Sequence, residues 1–124
     1  MANKKGNQTT QLIVRARLLG ISPIIPIVCE VVREAFEKMG LPDCVITSAV
    51  RLGDGLHPSG CAVDFDSTEH IEEPMWFTIE ADVRDRLGLR YDQAGKRVAG
   101  DFDVIAHAKH GGPPDHLHVE IQPR

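Results

Sequence analysis

Cysteine is scarce in this 124-residue chain and badly spaced for structural use. Cys29, Cys44 and Cys61 are odd in number, so they cannot all pair within the chain, and no two stand as Cys-x-x-Cys. That excludes a disulfide framework and a thiolate zinc knuckle, and it suits a reducing compartment. A surplus of positive charge is also missing. Lys and Arg number 14 against 18 Asp and Glu, a formal net charge of −4, so the basic footprint that gripping a nucleic acid requires is not there. Lys4, Lys5, Arg15 and Arg17 make the N-terminal region locally positive, as a solvated lead does. Nor is there a long unbroken apolar run. Residues 18–32 come nearest, but Pro23, Pro26 and Glu30 interrupt them, and no bilayer span is expected. The same stretch lacks a small-x-small cleavage site and runs straight into an amphipathic pattern, so no export signal is expected either. No internal repeat or low-complexity tract is visible.

What is present is the composition of an ordinary globular domain, 42% apolar and 26% charged. A chain of this length buries roughly two-thirds of its unfolded surface without needing staples. Residues 1–10 are polar and expected to form a flexible lead, with residues 11–124 as a single domain. Ser22 reads as an N-cap with Pro23 at the first helical position. Ile24, Ile27, Val28, Val31, Val32, Ala35, Phe36 and Met39 then recur at helical spacing until Gly40. Strands are expected over residues 43–50, 60–66, 101–107 and 116–121, and a second helix over 78–87, closed by Gly88. Residues 67–74 read as a polar stretch and 92–100 as a turn or hairpin loop. Strands mixed with two helices and no βαβ rhythm predict an α+β fold, a small and mostly antiparallel sheet packed against helices.

Two segments carry the chemistry: His57-Pro58-Ser59-Gly60-Cys61-Ala62-Val63-Asp64 and Asp115-His116-Leu117-His118-Val119-Glu120. In the first, a turn at Gly60 can bring an imidazole and a carboxylate onto one metal. In the second, a strand turns His116, His118 and Glu120 to one face and Leu117, Val119 and Ile121 to the other. Three ionisable groups on one face need a reason, because burying unpaired charge costs several kcal/mol. Metal coordination supplies one. A catalytic zinc site keeps three protein ligands and an open position, whereas structural sites close all four, usually with cysteine. The set expected here is His57, Asp64 and His118, with Asp115 as a general base at the entry to the strand. His116 polarises a carbonyl, moves a proton, or replaces another residue as ligand; the sequence does not separate these roles.

The pattern His-x-x-Gly-x-Ala-x-Asp followed by Asp-x-x-His resembles the zinc-dependent peptidoglycan peptidases. That family includes D-alanyl-D-alanine carboxypeptidases, vancomycin-resistance D,D-dipeptidases and phage L-alanoyl-D-glutamate endolysins, which share the hedgehog/DD-peptidase fold. The resemblance implies zinc on His57, Asp64 and His118 and an acidic base at Asp115. Thr47-Ser48-Ala49-Val50-Arg51 is similar to the family's Ser-Gly-Tyr-Arg segment, which implies an oxyanion-stabilising role for Arg51. Departures occur at Gly55, where the family has a hydroxyl residue, and at Ala49-Val50, where it has Gly-Tyr. The motifs cover residues 47–66 and 115–120, and their order and spacing are specific.

The expected activity is therefore zinc-dependent cleavage of a peptide bond in peptidoglycan stem peptides, by a monomer that neither binds nucleic acid nor spans a membrane. The expected substrate lies outside the cytoplasm, and no export signal is expected. Release through a phage-made lesion, or carriage on a virion, reconciles the two. The alternatives are a non-enzymatic zinc-binding interaction module of the same fold and an amidase acting on a small amide. Other polar residues are expected to play ordinary parts: His107 and His110 as solvated loop histidines, and His70 in an acidic surface loop. Trp76 and Phe77 are expected in the core. Asp66 is a spare carboxylate beside Asp64, Asp101 and Asp103 are candidate orienters of a ligand imidazole, and Glu120 is a candidate partner for Arg51 or another cation.

Overall fold

The apolar spacing read from residue 24 to residue 39 folds as a helix, but Ile27 is exposed and Ile25 and Cys29 are buried instead, and Ser22, Pro23 and Ile24 lie outside the described residues. The computed structural model describes residues 9–16, 18, 25–49, 62–94, 102–107 and 115–121. Within them, helix α1 (Ile25–Lys38) buries Val28, Val31, Val32, Ala35 and Phe36 on one stripe. Its end is a Schellman motif. The Gly40 amide donates to the Glu37 carbonyl at 3.0 Å and the Leu41 amide to the Phe36 carbonyl at 3.1 Å, while Gly40 takes a φ of 80°. Only glycine adopts that φ without strain, and Leu41 buries itself directly after it.

The strands are β1 (Gln11–Val14), β2 (Asp43–Ser48), β3 (Ala62–Asp66), β4 (Phe102–His107) and β5 (His116–Ile121). They form one sheet in the order β1-β2-β3-β5-β4. The β1–β2 pair is parallel and the other pairs are antiparallel. The fold is thus α+β with a mixed, mostly antiparallel sheet. Strand β1 was not legible as a strand. It is four residues long with Leu12 and Val14 exposed, and it is held from outside its own sequence. Thr10 Oγ1 donates to the Leu41 carbonyl at 2.6 Å, and Arg33, paired with Glu30 and Glu37 on α1, donates to the Thr10 carbonyl at 3.1 Å. Thr10, the last residue of the expected lead, is therefore buried.

The second helix corrects the expectation at both ends. Helix α2 spans Glu73–Ala94, taking in Pro74, Trp76 and Phe77 before the expected start and running through Gly88. Pro74 sits in the first turn, where its missing N–H costs nothing. Glycine inside a helix costs about 1 kcal/mol relative to alanine, less than the stripe of Trp76, Ile79, Val83 and Leu87 gains by burial. Residues 92–94, expected in a turn, continue this helix.

Both helices pack on one face of the sheet. Cys44, Ile46, Val63, Phe65, Val104, Ala106, Leu117 and Val119 join the helical stripes in a single core, where Phe36 and Trp76 meet edge to face at 6.3 Å. By strand alternation the polar side chains of β3 and β5 fall on the opposite face. Among the described residues, no helix is long and apolar enough to cross a membrane.

Candidate metal centre

The antiparallel pairing of β3 with β5 sets Asp64 opposite His118 and Ala62 opposite Glu120, and β4 adds His107 opposite His116. Directly opposed residues present their side chains to the same face, so this register gathers Asp64, His107, His116, His118 and Glu120 on the face away from the helices. A bulge between Ile46 and Ser48 brings Ser48 opposite Asp64, and Thr47 Oγ1 donates to the Asp64 carbonyl at 3.4 Å. The start of the segment expected to carry the oxyanion arginine thus lies beside Asp64 in the sheet. Arg51 itself, His57, Cys61, Asp101 and His110 lie outside the described residues.

Asp64 Oδ1 is the point of convergence. His118 Nδ1 lies 2.7 Å from it and His116 Nε2 lies 3.9 Å away. The other ring nitrogen of His118, Nε2, lies 2.7 Å from Glu120 Oε1. His107 stacks on His116 with ring centroids 4.7 Å apart and stands edge-on to His118 at 6.1 Å. Asp64 and His118 are largely withdrawn from water, their side chains 10% and 13% exposed, whereas His107 is exposed.

The electrostatics follow from that packing. Burial pushes the His118 pKa down, but the hydrogen bonds and charges of Asp64 and Glu120 outweigh it, so the ring holds a proton more tightly than a free histidine. His107 shifts the other way, through burial and the neighbouring rings of His116 and His118. Asp66, at the end of β3, is raised chiefly by burial and further by Asp115, against the Ser67 amide and His116, which lower it.

The donor chemistry of Asp64 and His118 fits zinc: a carboxylate and an imidazole side by side, with the far imidazole nitrogen already oriented by a second carboxylate. That carboxylate–histidine arrangement fixes the ring and its tautomer for a metal on the near nitrogen. Donors on a tetrahedral zinc with bonds of about 2.0–2.1 Å stand roughly 3.3 Å apart. Asp64 and His118 at 2.7 Å would part slightly to admit the ion. Among the described residues, no three His, Cys, Asp or Glu side chains are already disposed around a metal position. They supply two of the three expected ligands.

Asp115, expected as the base, precedes β5 and lines a cavity with Asp66. His70 is exposed, 3.4 Å from Glu72, as a surface residue would be. Trp76 is core, but Phe77 is 45% exposed, contrary to expectation, because it sits on the outer side of α2. His107 is also more than a solvated loop histidine: it ends β4 and stacks on His116. The role of Glu120 was readable in part. Its i+2 spacing from His118 puts the two on one strand face, and only the fold reveals that the partner is the imidazole. No protein-family model, no curated protein and no solved structure matches the chain.

Proposed function

We propose that the chain is a zinc-dependent peptidase acting on the stem peptides of bacterial peptidoglycan, with a hedgehog/DD-peptidase-like arrangement of its sheet and ligands. The observation that carries this reading is the Asp64–His118–Glu120 relay, in which the two ends of one imidazole meet two carboxylates at 2.7 Å each. A purely structural role would not require a carboxylate at each nitrogen together with a second and a third ring beside it. The sequence motifs His57-x-x-Gly-x-Ala-x-Asp64 and Asp115-x-x-His118 support the same conclusion.

Asp64 and His118, with His57, are the residues that would hold zinc. Zinc there would supply Lewis acidity and activate water for attack on a carbonyl. Glu120 holds the His118 ring so that Nδ1 points toward Asp64. The Asp115 carboxylate takes the proton of the attacking water and delivers it to the leaving amine. His116 and Arg51 stabilise the negative charge that develops on the carbonyl oxygen. His107, stacked against His116, restricts the orientation of that ring.

The test is digestion of purified peptidoglycan with and without chelator, read by mass spectrometry of the released fragments, with elemental analysis of the protein. Stoichiometric zinc, new peptide ends that disappear with chelator, and an Asp115→Ala variant that keeps its zinc but not its activity are expected. Zinc without cleavage would replace the enzyme reading with that of an interaction module. Full activity in Asp115→Ala would remove Asp115 from the role of base.

A further inference from the structure

Asp64 stands between two polar neighbours in the sheet. Strand β3 lies between β2 and β5, and the two registers set Ser48 on one side of Asp64 and His118 on the other, so the three residues form a row across three strands. Directly opposed residues share a face, and the residue after Ser48, Ala49, packs into the core on the opposite side. His118 engages Asp64 from its side of the row at 2.7 Å. Ser48 does not engage it from the other. The Ser48 Oγ is buried and has no hydrogen-bond partner among the described residues. A buried hydroxyl without a partner is costly, and where a native fold keeps one, a functional reason is worth seeking.

The row supplies that reason. Two donors on a tetrahedral zinc stand roughly 3.3 Å apart, so the 2.7 Å contact between Asp64 and His118 has to open before both can be ligands. Glu120 braces the His118 ring at its far nitrogen, also at 2.7 Å, which makes the carboxylate the party that turns. Turning away from His118 within the row carries it toward Ser48. A carboxylate has about four lone-pair sites, so a bond from Ser48 adds to those it already accepts. We propose that Ser48 is a positioning residue for the metal centre: its hydroxyl donates to the Asp64 carboxylate once the Asp64–His118 contact has opened, and fixes that carboxylate in its ligating orientation. A hydrogen bond unmet in the metal-free fold is met in the metal-bound one, so part of the metal affinity comes from Ser48. This role rests on the reading of Asp64 and His118 as zinc ligands, and not on the reaction that follows.

The test compares the full chain with Ser48→Ala, Ser48→Thr and Ser48→Val, first in chelator and then with zinc alone as the probe. A residue that acts only through packing would weaken the metal-free fold when truncated. Ser48→Ala instead removes an unpartnered hydroxyl, so the melting temperature of the metal-free protein is expected to hold or rise. Its zinc affinity, by competition against a chromophoric chelator, should fall about tenfold or more. Ser48→Thr keeps the hydroxyl and should retain most of the affinity, whereas Ser48→Val, of nearly the same shape without it, should not. Wild-type zinc affinity in Ser48→Ala, a lowered melting temperature of that variant without metal, or equal affinities in the Thr and Val variants would overturn the role. A wild-type chain that takes up no zinc would remove this role and the zinc reading together. Hydroxyl-dependent zinc affinity in a chain that leaves peptidoglycan intact would sink the peptidase reading and leave the role of Ser48 standing.

Discussion

Glu120 Oε1 lies 2.7 Å from His118 Nε2, on the side of the ring opposite the Nδ1 that meets Asp64 Oδ1. Both contacts follow from the strands. Asp64 faces His118 across the β3–β5 ladder, and Glu120 follows His118 on the same face of β5. With a carboxylate at each nitrogen, the metal-free ring holds a proton more tightly than a free histidine. A metal held by Nδ1 would take the place of one proton, with Glu120 still holding the other nitrogen.

Glu120 should therefore matter for metal affinity without being a ligand. Removing a carboxylate that orients a ligating histidine typically costs about 10–100-fold in affinity. Glu120→Ala is expected in that range by competition against a chromophoric chelator. Glu120→Gln should lose less, because its amide oxygen still accepts from Nε2. Unchanged zinc affinity in both variants would mean that the His118 ring needs no such support.

The raised pKa of His118 sets a pH dependence whose sign can be worked out. In the unfolded chain the group titrates near its ordinary value of about 6.5. In the metal-free fold it holds its proton to higher pH. Its contribution to stability is thus fully present below about pH 6.5 and lost as pH rises through the folded value. Zinc held by His118 would reverse the trend, because ligation needs the ring nitrogen deprotonated and releases a proton. Thermal melts across this window should show His118→Ala losing the acid-side increment of the metal-free protein. The stabilisation conferred by zinc should grow with pH. Zinc stabilisation that is flat across the same window would exclude His118 as a ligand.

The central strands and α1 were legible because their signals are local and strong. Residues 116–121 alternate, residues 62–66 end in two acidic residues spaced by one, and Gly40 follows a helical stripe. What escaped the sequence depends on partners far along the chain. Strand β1 exists because β2 templates it and Thr10 is tied to Leu41. Helix α2 runs through Gly88 because tertiary burial of Trp76, Ile79, Val83 and Leu87 outweighs one residue's propensity. The pairing of Asp64 with His118 was expected from motif spacing. The stacking of His107 on His116 depended on β4 lying beside β5, which no local pattern specifies.

Asp43 anchors the loop that leads from β3 to α2. It is buried and accepts from the Ser67 hydroxyl at 2.8 Å, the Thr68 amide at 2.8 Å and the Thr68 hydroxyl. Burial opposes its ionisation, but these donors prevail and hold the carboxyl below the usual range. Its stabilising contribution is present above the unfolded value of about 3.9 and lost as pH falls through the folded one. Asp43→Ala should cost about 2–3 kcal/mol by urea unfolding near neutrality, the scale of hydrogen bonds to a charged group left unmade. The cost should shrink in acid. A loss that persists undiminished at low pH would assign the effect to packing instead of charge.

Strand β4 is a sheet edge, and two side chains of α2 close it. The Ala106 amide donates to Glu80 Oε1 at 2.8 Å, and Arg84 donates to the Val104 carbonyl. Outward-pointing backbone groups on an edge strand invite pairing with another chain. Here residues one helical turn apart answer two consecutive outward positions of the strand. Glu80→Ala leaves the Ala106 amide without its acceptor, a loss of about 1 kcal/mol or a fall in melting temperature of roughly 3–6 °C. It should also make the protein associate as concentration rises, seen by light scattering at temperatures well below the melt. Glu80→Gln keeps an oxygen in place and should restore most of both properties. If Glu80→Ala melts lower but stays monomeric at high concentration, the contact stabilises the fold without guarding the edge. If neither property changes, the edge is protected by other means.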